Sequence, residues 1–435
     1  MLLLLSVTTS AEAISTSGFL EPWVEEAILI GSQTVGGDSL GGAVDVDGDT
    51  LVLGAHFAQV GENLRQGEAY VFVRNNGEWT EQARLVASDG EELDHFGFSA
   101  AINGNTVTIG AIGSVIDGNN NQGAVYIFKR VGTAWTEAQK LTASDGLAQD
   151  QFGRSQAIDG DTLLVGAFSA DIGENNSQGA AYVFVDRSGN WVEEDKLFAV
   201  DGTGSDLFGE SVDLDGDSAL VGAFSATIDG VLNQGAAYVF VRAGAAWNLE
   251  QRLTASDGQF IDSFGEAVAI DGDRVLVGAD GADIDPRDSA DRSSEGAMSE
   301  GAAYLFERSG TTWSETQKLF ASEPQSGGNF GIEVELEAGL ALIGAELDIM
   351  GDLERGVVYE YRLQGAQWTE IQLFAGSGGQ SFDKFGSAIA LSENRIVVGA
   401  ESKVPGGAAY VLLLPPLFAD GFESGDTGAW SVTVP

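Results

Sequence analysis

Short apolar runs separated by polar, glycine-rich turns recur along most of the chain. Residues 51–53, 163–165 and 275–277 are apolar at three successive positions, and a strand of this kind must be covered on both faces. Other segments, such as residues 191–199, mix apolar with charged side chains, as the outer strand of a sheet does. The pattern predicts an all-β fold of many short strands joined by turns.

Two dipeptides divide the chain into units of similar length. Phe-Gly, replaced by Leu-Gly in the first unit, begins at residues 40, 96, 152, 208, 264, 330 and 385. Gly-Ala begins at residues 54, 110, 166, 222, 278, 344 and 399. Both series advance by 56 residues four times, then by 66 and by 55. Units of this length are typical of propeller blades rather than of helical solenoids.

Each unit reads as four strands: one after Phe-Gly, one before Gly-Ala, one like "AAYVFV" and one that opens with tryptophan. The last unit lacks the tryptophan strand, but Trp23 lies 56 residues before Trp79, the tryptophan of the first unit. We therefore predict a seven-bladed β-propeller with four strands per blade. Residues 21–30 should close the ring by pairing beside residues 410–414, which removes the open edges of the last blade.

The order Phe-Gly, "AIDGDTLLVGA", "QGAAYVFV" and "WxxxxKL" resembles the bacterial FG-GAP repeat, a relative of the seven-bladed propeller of integrin α subunits. The resemblance covers about residues 20–414. It implies the propeller fold and is much less specific for function, because one fold hosts many activities.

The charge balance narrows the choice of partner. The chain has 21 Lys and Arg against 66 Asp and Glu, a net charge of −45. Such a field repels nucleic acid and anionic membranes and favours divalent cations or basic partners. The absence of cysteine excludes disulfides, thiolate metal sites and cysteine nucleophiles. We expect a monomer that neither binds nucleic acid nor inserts into a membrane.

The two ends differ from the repeats. Residues 1–13 combine an apolar run with an Ala-Glu-Ala ending, the pattern of a truncated secretory signal peptide. Residues 415–435 contain "DGFESGD", which resembles a C-terminal segment of exported proteins in some Gram-negative bacteria and indicates either sorting or a frayed terminus. These segments predict a secreted or cell-surface bacterial protein, outside the cytoplasm.

Loop lengths separate two faces of the predicted ring. Strands one and two are joined by Asp-Gly or Asn-Gly turns, and strands three and four by short glycine turns. The opposite face carries the long loops, such as "FSADIGENNSQG" and "ASDGLAQD". Long loops leave room for a binding site, so we expect the acidic long-loop face to contact a ligand.

The first candidate binding residues are the aspartates two positions before Phe-Gly. Inner strands enter beside the axis of a propeller, so these carboxylates either ring the channel mouth, where they bind a cation or a partner, or tie their own loops. They are Asp38, Asp94, Asp150, Asp206, Asp262 and Asp383.

A second candidate follows from the resemblance, because integrin propellers hold Ca²⁺ in D-x-D-x-D-G-x-x-D hairpins. Here "DVDGDT" and "DLDGDS" match the first three acidic positions and then depart, with no closing aspartate. The candidate metal ligands are Asp45, Asp47, Asp49, Asp213, Asp215 and Asp217. A third candidate is the insertion at residues 280–301, either a mobile polar excursion or a binding loop containing Asp283, Asp285 and Asp288.

Catalysis has little support in the sequence. His56 and His95 each occur in a single unit, and no Ser-His-Asp order, HExxH motif or phosphate-binding glycine loop is present. We expect a non-catalytic binding or adhesion module for a protein or a glycan, with Ca²⁺ as an optional cofactor. The alternatives are a polysaccharide hydrolase or lyase with carboxylates at the channel mouth, and a structural component of the cell surface.

Overall fold

The computed structural model describes residues 23–284 and 300–414. This part of the chain forms seven four-stranded antiparallel sheets and one small hairpin. It contains no helix, and hence none long and apolar enough to cross a membrane. The predicted all-β, seven-bladed propeller is therefore confirmed.

The first strand of the chain, β1 (Val24–Leu29), belongs to the last blade. Blade 1 contains β2 (Leu40–Asp47), β3 (Thr50–Ala55), β4 (Glu68–Asn75) and β5 (Glu78–Leu85). Blade 2 contains β6 (Phe96–Asn103), β7 (Thr106–Ala111), β8 (Ala124–Val131) and β9 (Ala134–Leu141). Blade 3 contains β10 (Gln156–Asp159), β11 (Thr162–Ala167), β12 (Ala180–Asp186) and β13 (Trp191–Leu197). Blade 4 contains β14 (Val212–Asp215), β15 (Ser218–Ala223), β16 (Ala236–Ala243) and β17 (Ala246–Leu253).

The remaining blades repeat this order with one addition. Blade 5 contains β18 (Val268–Asp271), β19 (Arg274–Ala279), β20 (Ala302–Ser309) and β21 (Thr312–Leu319). Blade 6 contains β22 (Val334–Glu337), β23 (Leu340–Ala345), β26 (Val357–Gln364) and β27 (Gln367–Phe374), with the small hairpin of β24 (Ile349–Met350) and β25 (Leu353–Glu354) in its long loop. Blade 7 contains β28 (Phe385–Ser392), β29 (Arg395–Ala400) and β30 (Ala408–Leu413), followed by β1.

The N-terminal strand closes the ring, as predicted. β1 pairs antiparallel with β30, from Val24 opposite Leu413 to Leu29 opposite Ala409. Its side chains also bond both neighbouring blades. On one side the Trp23 indole Nε1 donates to Glu360 at 2.5 Å, and on the other Glu26 accepts from Trp79 at 2.9 Å.

The core lies between blades rather than within any one of them. Leu51 and Leu53 of β3 pack with Val397 of β29 and Val411 of β30, and all four side chains are fully buried. The Gly-Ala glycine makes this approach possible. A Cβ on Gly54 would lie 2.0 Å from the Gly97 carbonyl oxygen of the next blade. Phe-Gly and Gly-Ala are therefore the two halves of one contact between blades.

A second contact between blades repeats outside the core. In six of the seven loops that follow a fourth strand, a serine donates its backbone N–H and its hydroxyl to a glutamate on the fourth strand of the next blade. The pairs are Ser32 with Glu81, Ser88 with Glu137, Ser144 with Glu193, Ser256 with Glu315, Ser322 with Glu370 and Ser377 with Glu25. Since Glu25 lies in β1, the closing strand takes the same role as the fourth strand of other blades.

Replacing Trp23 tests the closure. Trp23 is 3% exposed and bonds the fully buried Glu360. Trp23→Ala should lower the free energy of unfolding by about 3–5 kcal/mol, because it removes a buried indole and its hydrogen bond. Urea denaturation followed by circular dichroism measures the loss. The adjacent exposed Val24 provides the control, and an equally stable Trp23→Ala and Val24→Ala pair would contradict this role of the closing strand.

Candidate functional site

The six aspartates before Phe-Gly lie in their own loops. Each is nearly fully buried, and its Oδ2 accepts the backbone N–H of the residue three positions earlier. In the loop "ASDGLAQDQFG", for example, Leu147 N–H donates to Asp150 at 2.7 Å. Burial raises the pKa of Asp94 and Asp150. The six carboxylates therefore fit the loop-tie alternative, and their proposed binding role gains no geometric support.

The other aspartate of this loop, which the sequence analysis passed over, links two blades. Asp145 accepts the Tyr182 hydroxyl at 2.8 Å and the Lys196 ammonium at 2.8 Å, both from the next blade. Burial opposes its ionisation, but the hydrogen bonds from Lys196 and Tyr182 outweigh burial and leave the pKa of Asp145 below its usual value. Equivalent sets are Asp89 with Tyr126 and Lys140, and Asp257 with Tyr304 and Lys318.

The aspartates of the candidate calcium hairpins also join blades. Oδ2 of Asp45 accepts Ile102 N–H of blade 2 at 2.6 Å, and Oδ2 of Asp47 accepts Gly104 N–H at 2.6 Å. Asp49 is exposed and pairs with Arg395 at 3.4 Å. In blade 4, Asp213 and Asp215 bond Ile270 and Gly272 of blade 5 in the same way, while Asp217 is exposed. Two of the three carboxylates of each hairpin thus bond the backbone of the next blade.

The insertion is described only at its ends. The Asp283 backbone carbonyl accepts a hydrogen bond from Lys318 at 3.1 Å, whereas Asp285 and Asp288 lie outside the described residues. Within residues 23–284 and 300–414, no group of three or more His, Asp or Glu side chains is placed to hold a metal ion. The structure therefore offers no assembled Ca²⁺ site in that part of the chain.

The inner strands instead enclose an acidic channel on the propeller axis. Its cavity has a volume of about 590 Å³ and is lined by β2, β6, β10, β14, β18, β22, β28 and the residues beside them. The acidic lining residues are Asp45, Glu210, Asp213, Glu266, Glu333, Glu335 and Glu401. Arg154 is the only lysine or arginine among the lining residues that the structure describes. It binds Glu210 through Nε at 3.0 Å to both carboxylate oxygens.

The enclosed channel carboxyl groups hold protons more tightly than exposed ones. Burial raises the pKa of Glu333 to about 8 and that of Asp45 to about 7. Burial and the charges of Asp213 and Glu333 raise the pKa of Glu335 well above its ordinary value. The cause is common to all of them: the channel walls remove water, and the neighbouring charges have the same sign.

One side of the channel mouth is aromatic. The His56 ring lies 4.1 Å from Phe57 and 5.2 Å from Phe98, and His95 lies 6.4 Å away. Burial lowers the pKa of His56 to about 4, so the imidazole is neutral at pH 7. Arg154 stacks on Phe98 with 4.7 Å between its guanidinium carbon and the ring centre. The two histidines, which looked incidental in the sequence, therefore lie together at this mouth.

One feature of the sequence indicates the channel-facing position, although it plays no part in predicting the strands. The residue after Phe-Gly is Gly, Phe, Arg, Glu, Glu, Ile and Ser in the seven units in turn. Positions that hold blades together are nearly constant, whereas this position varies freely because it faces the channel. Variation among the copies of a repeat thus indicates a position that packing between blades does not constrain.

The fold and its axial cavity define the chain as a seven-bladed propeller with an acidic central channel, a scaffold consistent with a binding or adhesion module. The FG-GAP repeat model matches seven spans: residues 23–72, 79–128, 135–184, 191–240, 247–306, 313–361 and 368–412. The protein belongs to the FG-GAP repeat family. Every matched span begins at one of the seven tryptophans at the start of a fourth strand, including Trp23 directly before β1. No curated protein matches the chain.

Substitution of Asp150 separates a loop tie from a cation ligand. Asp150→Ala should lower the free energy of unfolding by about 1–2 kcal/mol, because Leu147 N–H loses its acceptor. Asp150→Asn keeps an acceptor oxygen and should lose less. Urea denaturation in CaCl₂ and in EDTA should give the same difference for each variant. A Ca²⁺-induced stabilisation of the wild type that Asp150→Ala abolishes would instead make this carboxylate a cation ligand.

The channel carboxyls predict how stability changes with pH. The pKa of Glu333 is about 8 in the folded state, above its ordinary value of 4.5, so the native state binds a proton that the unfolded chain has released. This stabilisation is complete below about pH 4.5 and is lost as pH rises through about 8. The melting temperature should therefore fall between about pH 5 and pH 9, and Glu333→Gln should reduce the fall by a few degrees. The exposed Glu174 supplies the control, Glu174→Gln; equal pH profiles for the two variants would contradict the assignment.

Proposed function

We propose that the protein is a non-catalytic binding module, secreted or displayed at the cell surface as a monomer, whose long-loop face docks a basic protein partner. The observation that carries this proposal is a set of exposed apolar side chains where the long loops of adjacent blades meet. Large apolar side chains at the surface, surrounded by polar ones, are typical of protein contact sites.

The apolar side chains occur in pairs across blade junctions. Leu93 N–H donates to the Leu64 carbonyl at 3.0 Å, and Ile261 N–H donates to the Leu232 carbonyl at 3.2 Å. All four side chains are about half exposed. At the junction of blades 6 and 7, Phe382 is 61% exposed and bonds the β25 backbone.

Backbone geometry supports a role beyond folding. Leu93, Ile261 and Phe382 adopt φ of 68°, 63° and 68°, in the left-handed region that favours glycine or asparagine. A branched or bulky side chain in this region is strained, and such strain is concentrated at functional sites. These side chains remain about half exposed, so burial offsets only part of the strain, and a smaller residue would suit stability better there.

Charge supports a basic partner rather than an acidic one. Several of the repeated arginines near the ends of the third strands pair with glutamates of fourth strands, as Arg242 does with Glu194 at 2.7 Å and Arg308 with Glu250 at 2.6 Å. At the channel mouth, in contrast, Arg154 pairs with Glu210 and Lys384 pairs with Glu401 at 3.1 Å, and Glu266 is a further carboxyl. A partner with Lys or Arg side chains amid apolar ones matches this face in both respects.

Calcium-dependent binding and catalysis are the two alternatives to this proposal. The described residues supply no assembled group of ligands for Ca²⁺, so we propose binding that is independent of it.

A polysaccharide hydrolase is the second candidate. It is favoured by one observation: burial and the charge of nearby Glu210 raise the pKa of Glu266 well above its ordinary value. Two carboxyls in unlike environments are the usual pair for glycoside hydrolysis.

A phage-displayed random peptide library tests the docking face. Selected peptides should be enriched in Lys or Arg beside apolar residues and should bind equally in CaCl₂ and in EDTA. The triple variant Leu93→Asn, Ile261→Asn and Phe382→Asn should bind them at least tenfold more weakly, because the apolar contacts are lost. Its melting temperature should not fall, since asparagine suits the left-handed backbone.

Val131→Asn is the control, because this exposed residue lies at a hairpin of the opposite face. Equal loss of binding in the control would contradict the assignment of the face. A glycan array and a reducing-sugar assay with the same proteins define the alternatives. Glycan binding that the triple variant loses would replace the protein partner with a glycan, and release of reducing ends that Glu266→Gln abolishes would establish a hydrolase.

A further inference from the structure

The channel carboxyls lie at two separate levels along the axis. Glu210 and Glu266 directly follow Phe-Gly at the mouth on the long-loop face. Asp45, Asp213 and Glu335 share a deeper level, because each pairs with the equivalent residue of its second strand. Three positions along the chain separate the two levels, so they lie at different depths of the channel.

Mostly aliphatic residues form the level just above the deeper carboxyls, and the side chains of Val44, Val268, Val334 and Ile389 among them pack in the cores between blades. The residues three positions after Phe-Gly that line the cavity are Val44, Ala100, Gln156, Val212, Val268, Val334 and Ile389. Glu333 also lines the cavity, one position nearer the mouth than this set, so a further carboxyl lies between the two levels. A ligand that spans the channel should therefore carry positive charge at both ends and between them. A compact hydrated ion does not match this order, and the described residues contain no group of three or more ligating side chains suited to a metal ion.

Three buried polar atoms at the cavity, Nδ1 of His56, Oε1 of Gln156 and Oγ of Ser387, lack a hydrogen-bond partner among the described residues. His56 is 8% exposed, and its Nδ1 accepts no hydrogen bond. A Cβ on Gly42, at the cavity wall, would lie 3.3 Å from this Nδ1 and 3.2 Å from Oε2 of Glu401, so both groups face the same space. Gln156 Oε1, within the aliphatic level, is likewise buried and unbonded. Oε2 of Glu401 and Oε1 of Gln156 are acceptors, and a protonated amine is a donor with positive charge.

The channel has more carboxyl groups than basic groups to pair with them. Arg154 pairs with Glu210, while Glu333 and Glu335 make no hydrogen bond with the residues that the structure describes and interact with Asp213 only through repulsion. Isolated buried carboxyls are costly unless protonated or paired with a cation. A bound cation would relieve this repulsion at both levels.

The geometry points to a binding site in the axial channel for an unbranched aliphatic polyamine, with terminal ammonium groups at the two carboxyl levels and a middle amine near Gln156. The cavity of about 590 Å³ lies in the range of small-molecule sites. The site is distinct from the docking face, because it is built from the inner strands rather than from the exposed loop tips.

Isothermal titration calorimetry of the full chain with spermidine tests the site at about 0.15 M salt, where weak surface association is screened. We expect one saturable site per chain. Glu333→Gln combined with Glu335→Gln should weaken binding at least tenfold. Glu333→Lys, which supplies an amine from the chain itself, should abolish binding while the protein still melts cooperatively.

The matched control is Glu62→Gln combined with Glu174→Gln, two exposed loop residues with the same change in charge. This variant should bind spermidine like the wild type. Equal weakening in the control, unchanged binding by Glu333→Lys, or a Ca²⁺ affinity equal to that for spermidine would each overturn the proposal. The triple asparagine variant of the docking face should keep its spermidine affinity. A result that contradicts the docking face therefore leaves the channel site untouched, and the reverse also holds.

Discussion

The close approach of neighbouring blades is the constraint on which the rest of the molecule depends. The Gly-Ala glycine of each blade lies against the Phe-Gly peptide of the next, and the series closes where Gly399 of blade 7 meets the Gly41 carbonyl of blade 1. Any side chain larger than hydrogen would displace the neighbouring backbone there. This requirement explains why both dipeptides recur around the ring.

Closure makes the two ends of the propeller interdependent. β1 supplies the fourth strand of blade 7, and its Glu25 and Glu26 bond blades 6 and 1. The outer edge of each four-stranded sheet is a fourth strand with charged side chains, which is typical of sheet edges. The ring therefore gains its stability from contacts that are far apart in sequence and that form together.

The acidic composition serves different purposes at different places. Many aspartates accept hydrogen bonds from backbone N–H groups or from side chains of the next blade. Examples are Asp45, Asp47, Asp145 and Asp150. Glu333 and Glu335 instead face the channel without such partners among the described residues. Carboxyl groups thus stabilise the turns and the blade contacts in one place, and are available for a ligand on the axis in another.

The repeat spacing determined the number of blades, the strand order and the origin of the closing strand, because each depends on positions that recur at a fixed interval. The roles of single carboxylates depended on tertiary structure. Asp150 is tied by a residue three positions away, but Asp145 bonds Tyr182, and Glu335 meets Asp213 and Asp45 only on the axis. Spacing along the chain specifies which units are equivalent, whereas convergence of side chains from different blades requires the ring to close.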